Sequence, residues 1–262
     1  MLDVNKLYNM DCIDFLKSID DNMVDLIVTS PPYNCNLDYD ICNDNMEMTE
    51  YLEWCEKWLI ECYRILKPDG RICINHYLNQ RRIGNKIKDW FPIMEIKNIK
   101  EKVGLTPHKL IIWMEETITR MTAWGSWLSA SAPNITNPCE GIIVSYKHQW
   151  KKENRGESTI TKEEFMRDVS GVWRIQPDTR SLTKASFPVE LPKRCIQLLT
   201  YKGDLVVDPF MGSGSTALAA IETNRNFIGC DLSSNYCSIA NERIKKYYLE
   251  EKNKYIHKNF FV

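Results

Sequence analysis

The sequence predicts an α/β fold with a mostly parallel central sheet. In two segments, "VDLIVT" at residues 24–29 and "GDLVVDPFMGSGST" at residues 203–216, an apolar run leads directly into a turn. A long helical pattern from residue 48 ends near Pro68-Asp69-Gly70 and is followed by the apolar run "RICIN". Strands that alternate with helices at this spacing are typical of parallel sheets.

Residues 119–185 differ in texture from the rest of the chain. They contain Pro, Ser, Asn and scattered Trp and Arg, without the periodicity of a helix or a strand. We expect a loop-rich insert there rather than sheet core. The chain then divides into residues 1–118, the insert 119–185, and residues 186–262.

Composition sets wide bounds on function. The 262 residues are 44% hydrophobic and 26% charged, and the net charge of −1 gives no global basic field that would indicate a nucleic-acid partner. No apolar run reaches the roughly 20 residues needed to cross a bilayer, and the N-terminus lacks the pattern of a secretory signal. The ten cysteines form no C-x-x-C pair, and the spacing of Cys55 and Cys62 favours buried thiols on one helix face. We therefore expect a cytoplasmic protein without a metal site.

The glycine-rich turn after residue 208 predicts a cofactor pocket. Gly212 and Gly214 let the backbone approach a ligand closely, and Asp231 ends the next strand, where a carboxylate can bind two ribose hydroxyls. Ala217 stands where the third glycine of a dinucleotide fingerprint would fall, and no Gly-Lys-Ser/Thr phosphate loop follows. NAD and ATP are therefore weaker candidates than S-adenosylmethionine, which has an adenosine but no phosphate chain.

The turn Ser30-Pro31-Pro32-Tyr33 ends the first predicted strand with a hydroxyl, two prolyl carbonyls and an aromatic ring. Proline fixes φ and supplies hydrogen-bond acceptors only. Such a turn suits a planar group with an exocyclic NH2, with Ser30 Oγ and the Pro31 carbonyl as acceptors and Tyr33 stacked on the ring.

In this order, TSPPYN and DPFMGSGST resemble the catalytic and cofactor motifs of amino-group DNA methyltransferases in the permuted β-type arrangement. The resemblance covers nearly the whole chain. It implies a Rossmann-like methyltransferase fold with residues 119–185 as the target-recognition region. The catalytic residues would be Ser30, Pro31, Pro32 and Tyr33.

The resemblance also implies a set of cofactor-binding residues. Asp11 and Cys12 belong to a short N-terminal motif that would place the Asp11 carboxylate near the adenine amine, and Phe187 and Pro188 would line the methionine end. The full set is Asp11, Cys12, Phe187, Pro188, Asp208, Phe210, Gly212, Ser213, Gly214 and Asp231.

The expected reaction is transfer of a methyl group from S-adenosylmethionine to the exocyclic amine of a flipped base in double-stranded DNA. The resemblance ties S-P-P-Y more often to cytosine N4, and adenine N6 remains the alternative. Methylation of cytosine carbon-5 would need a Pro-Cys nucleophile. One exists at Pro138-Cys139, but it falls in the loop-rich region away from either predicted strand edge, so we interpret Cys139 as structural.

Contacts to DNA phosphates must help to offset the cost of base flipping, which is a few kcal/mol. The candidates are basic residues interleaved with Trp124, Trp127, Trp150 and Trp173: Arg81, Arg82, Lys86, Lys88, Lys147, Lys151, Lys152, Arg155 and Arg174. We also expect the polar loop 34–45 to close over the flipped base.

Several alternatives stay open at this point. They are a non-catalytic subunit that binds DNA or cofactor, a methyltransferase that acts on an amide nitrogen in protein or on RNA, and a nicotinamide oxidoreductase. A restriction-modification or epigenetic marking role, a homodimer and a cognate restriction endonuclease are compatible with the sequence, which fixes none of them.

Overall fold

The structure, a computed structural model, describes residues 2–36, 40–41, 44–82, 88–115, 126–133, 135, 137, 139–177 and 187–260, with the backbone alone for 80–82, 88–89, 115 and 251–260. Its strands are β1 (Lys6–Asn9), β2 (Val24–Thr29), β3 (Leu66–Tyr77), β4 (Gln80–Arg82), β5 (Lys88–Trp90), β6 (Thr106–Glu115), β7 (Cys139–Tyr146), β8 (Val172–Ile175), β9 (Leu205–Asp208) and β10 (Asn226–Asp231). Its helices are α1 (Cys12–Lys17), α2 (Met48–Ile65), α3 (Pro92–Lys102), α4 (Lys162–Asp168), α5 (Glu190–Leu199), α6 (Ser215–Glu222) and α7 (Ser234–Phe260).

Eight of the described strands form one sheet, in the order β1-β10-β9-β2-β3-β7-β6-β8. Strand β7 runs antiparallel to its neighbours β3 and β6, and the other adjacent pairs are parallel. The prediction of an α/β fold with a mostly parallel sheet is confirmed. Strands β4 and β5 form a separate antiparallel pair.

The expectation that residues 119–185 lie outside the sheet core is wrong. Strand β7 lies between β3 and β6, and β8 pairs with β6 at the outer edge. The buried part of β7, residues 141–145, is covered on both faces. Such a strand shows a short apolar run without alternation, a weak signal in a polar context. The assignment of 119–185 to target recognition stays a prediction.

Two helical layers cover the sheet. Helices α1, α2 and α3 share one apolar cluster with the strands, and α5, α6 and α7 contribute to the cluster on the other face. Cys55 and Cys62 are buried on α2, as predicted. No helix in the described part of the chain is long and apolar enough to cross a membrane.

The parallel arrangement brings four strand ends together. Strands β1, β10, β9 and β2 are adjacent, and they end at Asn9, Asp231, Asp208 and Thr29. We call this side of the sheet the carboxyl edge and the opposite side the amino edge. Ligands of open α/β sheets bind outside the carboxyl ends of the strands.

One buried charge stands out in the core. Lys100 of α3 is 0% exposed, and its Nζ donates a hydrogen bond of 2.9 Å to the Ile143 carbonyl of β7. Burial lowers the pKa of this amine to about 7, because the charged form loses its hydration.

We expect Lys100→Met to raise the free energy of unfolding at pH 6 by on the order of 2–4 kcal/mol. Between pH 7 and 10.5 the unfolded chain binds more protons at this position than the folded chain, so the stability of the original protein rises with pH across that window. The variant should lose this rise in urea denaturation series. Lys97→Met, which changes an exposed lysine of the same helix, is the control. Equal pH slopes for both variants would contradict the assignment.

Candidate active site

A cavity of about 360 Å³ opens at the carboxyl edge. Its described lining combines the turn after β2, the glycine loop after β9, the end of β10, the start of α1 and the first turns of α2. The predicted site residues among the lining are Asp11, Cys12, Ser30, Pro31, Pro32, Tyr33, Phe187, Phe210, Gly212, Ser213 and Asp231. The fold therefore brings the two predicted motifs, about 180 residues apart in the chain, into one cavity.

Asp231 positions the glycine loop. Its Oδ2 accepts a hydrogen bond from the Gly212 backbone N–H at 2.9 Å, and its Oδ1 accepts one from the Ser233 N–H at 2.9 Å. Burial raises the pKa of this carboxyl, while the two N–H groups oppose the rise. Arg243 of α7 holds the next residue of the loop, donating to the carbonyl (2.6 Å) and the hydroxyl oxygen (2.8 Å) of Ser213.

Asp11 has a local structural role at the same edge. It is the N-cap of α1, and its Oδ1 accepts hydrogen bonds from the backbone N–H groups of Ile13 and Asp14 at 2.8 and 3.3 Å. A capping carboxylate is held in a fixed direction at the helix terminus. The cap therefore presents Asp11 to the cavity from a rigid position.

The charged side chains among the described lining residues are all acidic. They are Asp11, Asp40, Asp44 and Asp231. Such a lining attracts a cation and repels a phosphate chain. The residues present fit S-adenosylmethionine, which carries a sulfonium charge and no phosphate, better than they fit NAD or ATP.

The turn after β2 is held by a set of hydrogen bonds that we call the Tyr33 network, formed by Ser30, Tyr33, Asn75 and Glu140. Ser30 Oγ donates to the Tyr33 hydroxyl oxygen at 2.8 Å, and the Tyr33 hydroxyl donates to Glu140 Oε2 at 2.7 Å. Asn75 Nδ2 donates to both partners, at 2.7 and 2.6 Å. Burial and then the charge of Glu140 raise the pKa of Tyr33 well above its usual range, so the phenol stays protonated.

Aromatic side chains support the same turn from beneath. The Tyr33 ring, 4% exposed, stacks on His76 with centroids 4.2 Å apart and meets Tyr77 edge-on at 4.7 Å. The Tyr51 hydroxyl lies 2.8 Å from the Pro32 carbonyl, to which it donates, and 3.2 Å from His76 Nε2. Burial lowers the pKa of His76 to about 3, so this imidazole is neutral at physiological pH. One face of Tyr33 is thus occupied by the protein itself.

Comparison with known proteins agrees with this geometry. Residues 24–242 match the family model for N6 and N4 methylases, which is described as DNA methylase. The chain belongs to this family. It is an amino-methyltransferase of the N4/N6 type, the group to which the resemblance pointed.

Individual relatives cover most of the chain. The type II methyltransferase M.MjaVI of Methanocaldococcus jannaschii is 43% identical over 169 residues, 64% of this chain and 84% of that protein. The type II methyltransferase M.BglII of Bacillus subtilis is 30% identical over 262 residues, covering 90% of this chain and 68% of that protein.

Solved structures share the fold. TTHA0409 of Thermus thermophilus, assigned as a DNA modification methylase and solved in complex with S-adenosyl-L-methionine, has a TM-score of 0.73 and 27% identity, and the match covers 92% of this chain and 93% of that one. The cytosine-N4-specific PvuII DNA methyltransferase has a TM-score of 0.71 at 20% identity, with 90% and 84% covered, and supports the fold alone.

Three predicted cofactor residues of the methylase are not among the described lining of the cavity. Asp208 is buried and accepts hydrogen bonds from Thr29 Oγ1, Thr216 Oγ1 and the Phe210 N–H. Gly214 is the N-cap of α6. Pro188 is buried and its carbonyl accepts from the first turn of α5. These three residues support the loops that line the cavity, and direct contact of any of them with the cofactor stays a prediction.

Two predicted DNA contacts also need correction. Lys147 is buried, and its Nζ donates to Asn22 Oδ1 (2.8 Å) and the Leu66 carbonyl (2.9 Å). Lys152 forms ion pairs with Asp25 and Asp204 at 2.9 and 2.8 Å, with its side chain 9% exposed. Both amines tie the chain after β7 to the amino edge, on the side of the sheet opposite the cavity. These are structural contacts, and the amines are already paired.

The other predicted DNA-binding residues divide by position. Lys151 and Arg155 are exposed but belong to the same segment at the amino edge. Arg174 is exposed near the end of the outer strand β8. Arg81 and Arg82 lie in β4, just past the carboxyl end of β3, and their side chains are outside the described residues, as is Lys86. DNA contact by these residues stays a prediction.

The tryptophans and the cysteine of the central region also separate by position. Trp173 is buried in the core, Trp150 stacks on His108 at 3.8 Å, Trp127 is 75% exposed, and Trp124 is outside the described residues. Cys139 is the first residue of β7, so the expectation that it lies away from strand edges is wrong. It is not among the described lining, and strand alternation directs its side chain to the face opposite its neighbour Glu140.

Sequence reasoning missed several residues of the site. Asn75 and Glu140 lie on different strands, and no local motif marks them. Tyr51 and Trp54 stand three positions apart on α2, a spacing that places both on one helix face. The ring centroids of Trp54 and Phe210 are 5.5 Å apart. The spacing on α2 was the available signal.

Part of the predicted closing loop does lie at the cavity. Asn34, Asp40, Ile41 and Asp44 line it, and Ser233 Oγ donates to Asp40 Oδ2 at 2.8 Å. Residues 37–39 and 42–43 of this loop are outside the described residues. Closure over a flipped base stays a prediction.

Gly214→Ala should destabilise the methylase by about 1–3 kcal/mol and weaken binding of S-adenosylmethionine. Gly214 has φ +85°, and an added Cβ would lie 3.0 Å from Ala240 Cβ, so the variant must displace the glycine loop from α7. Denaturation and calorimetric titration measure the two effects.

Gly203→Ala is the matched control, because Gly203 has φ +83° with nothing within 4 Å of an added Cβ. It should incur only the backbone strain, about 1–2 kcal/mol, and keep its affinity. Equal cofactor affinities in the two variants would contradict the packing argument.

Proposed function

We propose that this methylase is a sequence-specific DNA methyltransferase that modifies the exocyclic amine of a flipped base, with cytosine N4 as the favoured acceptor and adenine N6 as the alternative. The observation that carries the proposal is the meeting of the Ser30–Tyr33 turn and the glycine loop in one acid-lined cavity. We also propose a restriction-modification or epigenetic marking role, and the type II methyltransferases among the relatives support the former.

The cofactor is S-adenosylmethionine, which supplies an electrophilic methyl group. Asp231 and Asp11 both line the cavity, and in this proposal Asp231 accepts from the ribose hydroxyls and Asp11 from the adenine amine. The acidic lining favours the cationic cofactor over its neutral thioether product, which assists product exchange. Phe187 and Phe210 supply apolar walls.

The acceptor amine contacts the turn after β2. Because Ser30 Oγ donates its own hydrogen to Tyr33, its lone pairs remain to accept a hydrogen bond from an exocyclic NH2. The Pro32 carbonyl is taken by Tyr51, so we assign the second acceptor to the Pro31 carbonyl. Both acceptors draw the amine toward tetrahedral geometry and free its lone pair, a stabilisation that grows toward the transition state.

Target recognition requires the base to leave the helix, at a cost of a few kcal/mol. Tyr33 lines the cavity, and in this proposal the face of its ring away from His76 stacks on that base. Arg81, Arg82 and Arg174 are the candidates for phosphate contacts, because they lie toward the carboxyl edge. Ser30 favours cytosine only through the family resemblance, since both bases present the same kind of amine.

The deciding experiment is incubation of the protein with unmethylated DNA and S-adenosylmethionine, followed by digestion to nucleosides and mass spectrometry. We expect N4-methylcytosine. N6-methyladenine would keep the mechanism and replace the acceptor. A protein that binds the cofactor but yields no methylated base would contradict the proposal and favour a non-catalytic subunit or a non-DNA substrate.

Tyr33→Ala should remove most activity and leave the affinity for S-adenosylmethionine nearly unchanged, because the ring serves the target base rather than the cofactor. Asp231→Ala should instead weaken cofactor binding by about 1–3 kcal/mol, since polar partners are left unpaired. Calorimetry and methylation assays on both variants measure the contrast. A large loss of cofactor affinity in Tyr33→Ala, or none in Asp231→Ala, would reverse the two roles.

A further inference from the structure

The Tyr33 network continues from the catalytic turn to a carboxylate that no sequence motif marks. Ser30 donates to Tyr33, and Tyr33 donates to Glu140, so the donors point in one direction from the cavity to β7. Ser30 lines the cavity, whereas Glu140 is half-buried. The chain of hydrogen bonds thus links the reaction site to the carboxylate of a partly exposed residue.

The proposed reaction leaves one proton to be removed. An amine that receives a methyl cation carries a positive charge until one of its N–H bonds breaks. Serine is a weak base, and a transfer that leaves a charged alcohol beside Pro31 in a partly buried site is unfavourable. A route from Ser30 to a stronger acceptor solves this problem.

On the basis of the proposed function, we propose that Glu140 is the terminal proton acceptor of the methyl transfer, reached through Ser30 and Tyr33. An N–H bond of the methylated amine breaks as Ser30 Oγ gains that proton, the Ser30 O–H proton passes to the Tyr33 oxygen, and the Tyr33 O–H proton passes to Glu140 Oε2. The products are a neutral methylated base and a neutral Glu140 carboxylic acid. Atoms and charge balance without any further reactant.

Several features of the structure fit this relay. Tyr33 receives one proton as it gives up another, so no phenolate forms, which agrees with the raised pKa of this buried phenol. Asn75 donates to both Tyr33 and Glu140 and fixes their separation at 2.7 Å. The stacking of Tyr33 on His76 holds the ring in the same orientation. His76 itself is neutral and does not compete for the proton.

Two variants test the relay. Tyr33→Phe keeps the ring and its stacking but removes the bridging hydroxyl, and Glu140→Gln keeps the shape but removes the acceptor charge. Each should lower the single-turnover rate by about 10²–10⁴-fold, the usual contribution of general acid-base groups. Because both interrupt one route, the double variant should be no slower than the slower single variant. Calorimetry should give an unchanged affinity for S-adenosylmethionine.

Two further readouts distinguish proton transfer to Glu140 from a purely structural role of this residue. In the original protein, the single-turnover rate in mixtures of H2O and D2O should show a curved proton inventory, because several protons move together. The curvature should disappear in Glu140→Gln. Formate, a small carboxylate, should restore activity to Glu140→Ala but not to Tyr33→Phe. Glu157→Gln, which changes an exposed carboxylate paired with Lys202, is the matched control and should behave as the original protein.

The outcomes distinguish this inference from the proposed function. If the original protein yields no methylated base, the proposed function fails and the relay fails with it. If it methylates DNA while Tyr33→Phe or Glu140→Gln keeps its rate, the relay alone is wrong. Slow variants with an unchanged proton inventory and no rescue by formate would overturn the relay in favour of positioning.

Discussion

The buried carboxylate of Asp208 joins the elements on which the site depends. It accepts hydrogen bonds from Thr29 at the end of β2 (2.6 Å), from Thr216 in α6 (2.6 Å) and from the Phe210 N–H in the glycine loop (3.0 Å). Burial raises the pKa of this carboxyl to about 6, and these donors oppose the rise. Because Thr29 precedes Ser30 directly, one carboxylate fixes the catalytic turn relative to the glycine loop.

That constraint lets two different electrostatic environments exist side by side. On the cofactor side, Asp11 and Asp231 face the cavity and suit a cationic ligand. On the target side, the side chains of the turn Ser30–Tyr33 are themselves neutral, Glu140 lies behind Tyr33, and Asp44 accepts from the N–H groups of Asn34 and Cys35 just after the turn. In the proposed reaction, the cofactor loses its charge and the base loses a proton at different parts of this one cavity. The hydrogen bonds of Asp208 fix the positions of these two parts relative to each other.

The two edges of the sheet have different roles: the carboxyl edge carries the site residues, and the amino edge carries contacts that stabilise the fold. At the carboxyl edge, strand ends supply the turn, the glycine loop and Asp231. At the amino edge, Lys147 and Lys152 tie the segment after β7 to the starts of β2, β3 and β9. Burial would raise the pKa of the Asp25 carboxyl, but the hydrogen bonds from Lys67, the Leu205 N–H and Lys152, with the charge of Lys152, together lower it. Basic residues that looked alike in the sequence thus lie at opposite edges of the sheet.

The sequence by itself determined the parts of this protein whose signals are local. The strand that ends at Thr29, the turn Ser30–Tyr33, the glycine loop and Asp231 are each encoded in a few adjacent residues, so the fold class and part of the cavity lining followed from them. Tertiary structure alone decided which distant groups meet. Glu140 reaches Tyr33 across 107 positions because β7 lies beside β3. The amines of Lys147 and Lys152 are buried for a similar reason, since strand order and burial arise from the folding of the whole chain and leave no short-range pattern.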